Sequence, residues 1–409
     1  GVSPRVEGRG VYVGNDLVAN PAGAGDLTGA VAFVLAGAPT ELAEDPDAAL
    51  RERPQVELAL TAGAVAVVVL DTLASSAAWQ RSLSPRRPTR VLADGSTPTP
   101  RPDAVLGPDA SSRLLAQWAA GSDADSGPPP GIDIGPVIIE RSHIIRAGES
   151  WNVGGVVDGT DPGASDEVVV FTAHLDHVGV GPPDASGDSV FNGAHDNALG
   201  VAKVLASAEF LSKAPPRRSL LFLALGAEES GLLGALHYLK EPVFPLEATV
   251  ASINHDGGLL GSRHDDVLAW GPSFSTVETD VEWAASVTGL TYNRERKPPF
   301  TPSAGLLHRS DHTPFLMAGI PSVYLMPGFS KGGDPAAGQA AWNAYLATVH
   351  HRQADNPDPS ATYESALALT AMSVRLAWRL AQAEDMPTTH PDAPVAKSRQ
   401  TPNGRFYNP

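Results

Sequence analysis

From Ile132 onward the hydrophobic positions alternate between two patterns: short runs rich in β-branched and aromatic residues, and longer segments with apolar residues at helical spacing. Val168–Thr172 and the near-continuous apolar run Ser219–Ala227 predict strands, the second of the kind buried on both faces of a sheet. Further strands are predicted over Thr249–Ile253, Asp266–Trp270 and Pro321–Met326. Asn197–Leu211 predicts a helix, apolar at Val201, Val204, Leu205 and Ala208. Other helices are predicted over Gly231–Leu239, Ser275–Thr288, Asp311–Met317 and Ser360–Ala383. This alternation predicts an α/β fold, a mixed and mainly parallel sheet with helices on both faces, which places functional side chains at the carboxyl ends of strands.

The first 125 residues follow a looser rhythm. Short apolar runs (GVYVG, GAVAFVLAG, GAVAVVVLD) are separated by Gly, Pro and Ala turns and by a helical stretch around Ala48–Ala62, which predicts a smaller α/β module. Its Arg86–Arg90 segment reads as a solvated loop. Gly121–Gly131 concentrates Gly, Pro, Ser and Asp as linkers do. The expected organisation is a first domain over 1–125, a linker over 126–131, a second domain over 132–385, and a Pro-rich tail over 386–409.

Length and charge narrow the class. A chain of 409 residues, 42% hydrophobic, exceeds what one core usually holds, in keeping with two domains. A net charge of −17 argues against nucleic-acid partners and against attraction to anionic lipid. No apolar run reaches the length that spans a membrane. There are no cysteines, which removes disulfides, thiolate ligands and a cysteine nucleophile, and leaves His, Asp and Glu as the strong metal ligands.

Those residue types gather just after predicted strands or at helix starts. They are His174 and Asp176 in AHLDHVG, Asp196 in GAHDNALG, Glu228 and Glu229 in ALGAEESGLLG, Asp256 in SINHDGG, and His351 with Asp355 in VHHRQADN. Five loops converging on one sheet edge is the arrangement expected of an active site, and oxygen and imidazole donors favour zinc, manganese or cobalt. Taken singly, several have blander readings: Glu228 and Glu229 as a solvated helix start, Asp196 as a helix N-cap. His177, His195 and His255 lie beside candidate ligands and read as pocket lining, because their neighbours already supply the coordination set.

HxDHxG, GAxDNAxG and AEExGLLG, in this order, resemble the co-catalytic di-zinc aminopeptidases of metallopeptidase clan MH, in the branch carrying an inserted protease-associated domain. The resemblance covers nearly the whole chain, with the inserted domain over residues 1–125 and the zinc peptidase domain over 132–385. It implies two zinc ions: His174 and Asp256 on the first, Glu229 and His351 on the second, and Asp196 bridging both. It also implies that Glu228 is the general base that takes a proton from the attacking water and passes it to the leaving amine. Asp176 is implied to be the carboxylate that fixes the tautomer and ring of His174. His351 is preferred over His350 because it gives the His-x-x-x-Asp spacing to Asp355. Many relatives carry Tyr where His350 stands, and their NxDMxG becomes NHDGGL here.

The function so implied is removal of N-terminal amino acids from peptide substrates. Carboxypeptidase action, through Arg294, Arg296 or Arg309, and a catalytically inactive receptor are the alternatives. The Leu306–Leu325 segment resembles the family's SDH-then-GIP element, where Ser310 or Asp311 can cap the following helix. A secreted or periplasmic location is expected from the resemblance and from Gly1 standing in place of Met.

Overall fold

The computed structural model describes residues 5–14, 26–35, 54–72, 103–119, 128–140, 147–294, 310–391 and 393. The chain divides into two compact units, with the division after Gly148. In the first, β1 (Arg5–Gly14), β2 (Val31–Leu35), β3 (Ala66–Leu70), β4 (Asp103–Leu106) and β5 (Ile132–Glu140) form one sheet in the order β4-β3-β2-β1-β5. The first four strands are parallel and β5 runs antiparallel to β1. Two helices, α1 (Pro54–Thr61) and α2 (Pro108–Trp118), cover it. Alternate residues face opposite ways, as the strand period requires. Val11, Val13, Val34 and Val67 pack with Ala59 of α1, while Tyr12, Phe33 and Val68 pack with Leu114 and Trp118 of α2.

The second unit holds β6 (Val153–Val157), β7 (Val168–His174), β8 (Gly179–Val180), β9 (Val190–Phe191), α3 (Leu199–Ser212), β10 (Ser219–Leu225), α4 (Leu233–Lys240) and β11 (Thr249–Asn254). There follow β12 (Asp266–Trp270), α5 (Val277–Thr288), β13 (Thr291–Tyr292), α6 (His312–Met317), β14 (Ser322–Pro327), α7 (Ala337–Thr348) and α8 (Glu364–Gln382). The main sheet has the order β13-β12-β14-β11-β7-β10-β6. Its centre, β14-β11-β7-β10, is parallel, and β6 and β12 join it antiparallel. The mixed, mainly parallel α/β sheet expected from the hydrophobic pattern is therefore present.

Every residue of β7 is buried. Val169, Phe171 and Ala173 face one way, against Val204 and Leu211 of α3, Val281 of α5 and Leu376 of α8. Val168 and Val170 face the other, with Tyr238 of α4 and Phe315 of α6. A strand covered on both faces needs no polar alternation, which is why VVVF reads as a continuous run. Buried Arg218 ties α8 to this sheet. Its Nη1 donates to the carbonyls of Leu380 and Ala383 at 2.8 and 2.7 Å, its Nη2 to that of Glu384 at 3.1 Å, and its Nε pairs with Glu167. Carbonyls at a helix C-terminus have no intrahelical donors, and a cation there also meets the negative end of the helix dipole.

Two expectations about organisation are corrected. Ile132–Glu140 is not the start of the second domain: it pairs along β1 from Arg5↔Glu140 to Tyr12↔Ile132 and completes the first sheet. The Gly/Pro-rich segment at 121–131 thus lies within the first unit, and of its residues 121–127 fall outside the described ones. Nor is the chain after 385 simply a tail. Thr388 and Thr276 exchange hydrogen bonds, His390 N–H donates to Phe274 O at 2.8 Å, and Ala393 is buried with Leu316. Arg86–Arg90, Arg296, His308 and Arg309 lie outside the described residues.

Candidate metal centre

Three parallel neighbours bring their carboxyl ends together. β7 lies between β10 and β11, with Leu225 opposite His174 and Asn254 opposite Thr172. His174 is the last residue of β7; Glu228 and Glu229 follow β10 through a turn with Ala227 at φ +58°; Asp256 lies two residues beyond β11. Asp196 stands before α3, and His351 just beyond α7, at φ +54°.

These loops assemble two groups of donors. His174, Asp196 and Asp256 form one; His177, Asp196, Glu229 and His351 form the other; within each, the donor atoms lie within 4.8 Å of one another. His174 Nε2 is 3.2 Å from Asp196 Oδ1 and 3.0 Å from Asp256 Oδ1. His351 Nε2 is 3.1 Å from Asp196 Oδ2 and 3.0 Å from Glu229 Oε1. Asp196 thus turns one carboxylate oxygen to each group. A donor set of imidazoles and carboxylates without sulfur fits zinc.

Surrounding residues hold these donors in place. Asp196 does not cap α3: its oxygens face His174 and His351, and it is its neighbour Asn197 whose Oδ1 accepts the helix N–H of Gly200, and also the loop N–H of Gly257, at 3.0 Å each. Buried Asp355 accepts the backbone N–H of His195 at 2.7 Å and of Asp196 at 3.1 Å, which gives the His-x-x-x-Asp spacing a physical meaning. Asp176 differs from expectation. Its carboxylate is 4.0 Å from His174 Nδ1, and it is the backbone carbonyl of Asp176, at 3.0 Å, that accepts this N–H. A ring donating through Nδ1 presents an Nε2 lone pair to a metal. The Asp176 carboxylate instead accepts the N–H groups of Glu228 and Glu229 at 2.9 and 3.3 Å, fixing the turn that carries both.

The electrostatics separate the two adjacent glutamates. Burial opposes ionisation of Glu229, but the rings of His177 and His351 beside it outweigh burial and hold its carboxyl well below the usual range. Asp196 is likewise held low against its burial, by His174 and His351. Glu228 goes the other way: burial, reinforced by Asp256, Asp311 and Glu229 and opposed by His174, raises it well above the ordinary value. The imidazoles answer the same charges. Burial disfavours charge on His351, yet Asp196 and Glu229 push it up to about 9, and His174 is raised well above its usual value against burial by Asp256 and Asp196.

The remaining candidates divide. His255 is fully buried over Phe171 and held neutral by burial and Lys203, and His195 points its Nδ1 at Asp355; neither belongs to a donor group among the described residues. His350 stacks on His351 with ring centroids 3.9 Å apart. Arg294 pairs with Glu282 at 2.7 Å and lies over Tyr292, with its side chain 45% exposed. Ser310 Oγ accepts from Asn254 Nδ2 at 2.6 Å, and Asp311 makes no side-chain cap; buried among Asp256 and Asp176, its carboxyl is pushed up to about 7, chiefly by burial. Lys203, outside the candidate set, is buried within α3, where the apolar residues around it in the sequence are the signal that could have marked it. Its Nζ donates to Gly257 O at 2.8 Å behind Asp256, and burial lowers it to about 8.

The chain also has known relatives. Its residues 152–374 match peptidase family M28. Aminopeptidase YwaD of Bacillus subtilis is 28% identical over 169 residues, 41% of this chain and 33% of that protein. The probable lipoprotein aminopeptidase LpqL of Mycobacterium tuberculosis is 29% identical over 196 residues, 44% of this chain and 35% of its own length. The chain thus spans about a third of the length of these curated relatives. Among solved structures, an aminopeptidase from Aneurinibacillus sp. strain AM-1 superposes with a TM-score of 0.50 at 18% identity, covering 94% of this chain and 77% of that one, a likeness of fold. With more than half of its residues inside the family match, and with the motifs of that match drawn to one sheet edge, the chain belongs to peptidase family M28.

Proposed function

We propose that this protein is a zinc-dependent aminopeptidase that hydrolyses N-terminal amino acids from peptides at a two-metal site. The observation that carries this reading is the division of Asp196, whose Oδ1 faces His174 and Asp256 while its Oδ2 faces His351 and Glu229. One carboxylate shared between two donor groups suits two cations bound side by side. In this assignment His174 and Asp256 hold the first zinc, Glu229 and His351 the second, and Asp196 both. Zinc so bound supplies a polarised scissile carbonyl and a water acidic enough to be used at neutral pH.

Glu228 does the proton work. Its carboxylate is committed to no donor group, and its raised pKa suits a base that accepts a proton from water and returns it to the departing amine. Asp176 is a positioning residue, holding the Glu228 and Glu229 backbone. The first unit is read as a protease-associated domain, and a location outside the cytoplasm is in keeping with the word lipoprotein in the name of LpqL. Among the described residues no helix is long and apolar enough to cross a membrane.

The test is an assay of a free-amine aminoacyl anilide beside its N-acetylated form. The free amine is expected to be cleaved at least about 10²-fold faster, because a site built around a charged or hydrogen-bonding terminus rejects an analogue lacking it. Equal rates on both would sink the aminopeptidase reading.

A further inference from the structure

The resemblance supplies two ligands besides Asp196 for each metal, and His177 is not among them. The structure treats His177 otherwise. Its side chain is 7% exposed, its Nδ1 lies 3.1 Å from Glu229 Oε1 and 3.8 Å from Asp196 Oδ2, and its ring meets His351 edge to face at 5.5 Å. Despite these distances, neither ring nitrogen makes a directed hydrogen bond among the described residues. A buried imidazole without a hydrogen bond costs about 1–3 kcal/mol, so one is kept where something else takes the lone pair. Room for this ring is made by Gly193, at φ +67°, where a Cβ would come within 2.8 Å of His177 Cγ.

The separations suit ligands better than hydrogen-bond partners. Two donors on one tetrahedral zinc, each about 2.0–2.1 Å from the ion, stand about 3.3 Å apart. Around this group, Glu229 Oε1 lies 3.0 Å from His351 Nε2 and 3.1 Å from His177 Nδ1, and Asp196 Oδ2 lies 3.1 Å from His351 Nε2 and 3.8 Å from His177 Nδ1. Among the described residues the other group offers His174, Asp196 and Asp256.

We infer that His177 is a fourth protein ligand of the second metal, so that the two sites are unequal: one closed by four protein donors, the other left open by three. Protein sites that hold zinc structurally are closed, and sites that present it to substrate keep a position free. The His174–Asp256 side is then where the substrate carbonyl gains access, and the His177 side retains its metal more tightly. This inference rests on the two-metal reading above.

The test uses the whole protein stripped of metal by a chelator and titrated with cobalt(II), with two dissociation constants read by competition with a chromophoric chelator and the visible absorption band recorded. The intact chain is expected to bind two ions, one more tightly. His177→Gly should weaken the tighter site by about 100-fold or more, leave the other within about 3-fold, and lower the absorption of one ion. Added imidazole should restore that band, which a purely structural role for His177 would not allow. Two ions bound by His177→Gly with unchanged constants and spectrum would overturn the inference while leaving the two-metal reading intact. Fewer than two ions on the intact chain would overturn both.

Discussion

Asp196 and Asn197 divide two tasks that one side chain could not perform together. A carboxylate that caps a helix spends its oxygens on backbone N–H groups; here Asn197 takes that work, and Asp355 grips the Asp196 backbone, so each Asp196 oxygen stays turned to the imidazole of one donor group. Glu228 and Glu229 divide in the same way. Glu228→Ala should keep both metals and lower kcat by about 10³-fold, the scale of general-base catalysis, as read by metal analysis and steady-state kinetics. Retention of substantial activity would remove Glu228 from the role. The imidazoles make a second prediction. Without metal, His351 is pushed up to about 9 and His174 is raised well above its usual value, so both carry protons at pH 7. A metal must displace them, so zinc binding should release protons and tighten as pH rises toward 9. Calorimetric titration in buffers of different ionisation heat measures that release, and its absence at pH 7 would contradict the charge state described. At this scale the sequence was informative about identity and poor about atoms. Every proposed ligand in the two-metal assignment was among the clustered His, Asp and Glu positions of the sequence, and the family resemblance supplied their division between the metals. The sequence could not tell that Asp176 orients His174 through its carbonyl, or that a histidine three residues along turns its Nδ1 toward Glu229, since both depend on loop backbone angles that carry no periodicity.

Elements covered on both faces were the easiest to foresee. β7, β10, β11, β12 and β14 lie within a few residues of their predicted bounds, as do α3, α5 and α8, because each is rich in large apolar residues bounded by turn residues. α7 was not foreseen. AGQAAWNAYLAT buries Trp342 and Tyr345 and packs Leu346 beside them but is otherwise small or polar, so a weak pattern was left to be fixed by packing. β6 was also missed, for VGGVV is an edge strand with four of five residues exposed and no alternation to read. Packing of α8 on the sheet depends on one such hidden feature. Arg218→Ala removes the donor to three carbonyls at the end of α8, that of Leu380 buried, and leaves a cavity where a fully buried side chain stood, so it should destabilise the protein by about 3 kcal/mol in denaturant titration. Arg218→Lys, which keeps the charge but not the fork, should recover only part of that loss. A change within about 0.5 kcal/mol for Arg218→Ala would show the tie to be dispensable.

For the molecule as a whole, composition suggested two units, and two are present, but the division falls after Gly148 rather than at the Gly/Pro-rich segment before Ile132. The reason is topological. β5 is paired with β1, more than a hundred residues earlier, and nothing local in IDIGPVIIE says which sheet it joins. The same non-local assembly makes the candidate site, since β7, β10 and β11 become neighbours only when the parallel sheet forms. The family match, beginning at residue 152, falls within the second unit, which carries every proposed ligand. The central claim is that Asp196 joins two metals in that unit, and anomalous diffraction at the zinc absorption edge from crystals of the metal-loaded protein tests it most directly. Two peaks are predicted, one beside His174 and Asp256, the other beside Glu229 and His351, with Asp196 between them; a single peak, or a pair that Asp196 does not join, would contradict the account.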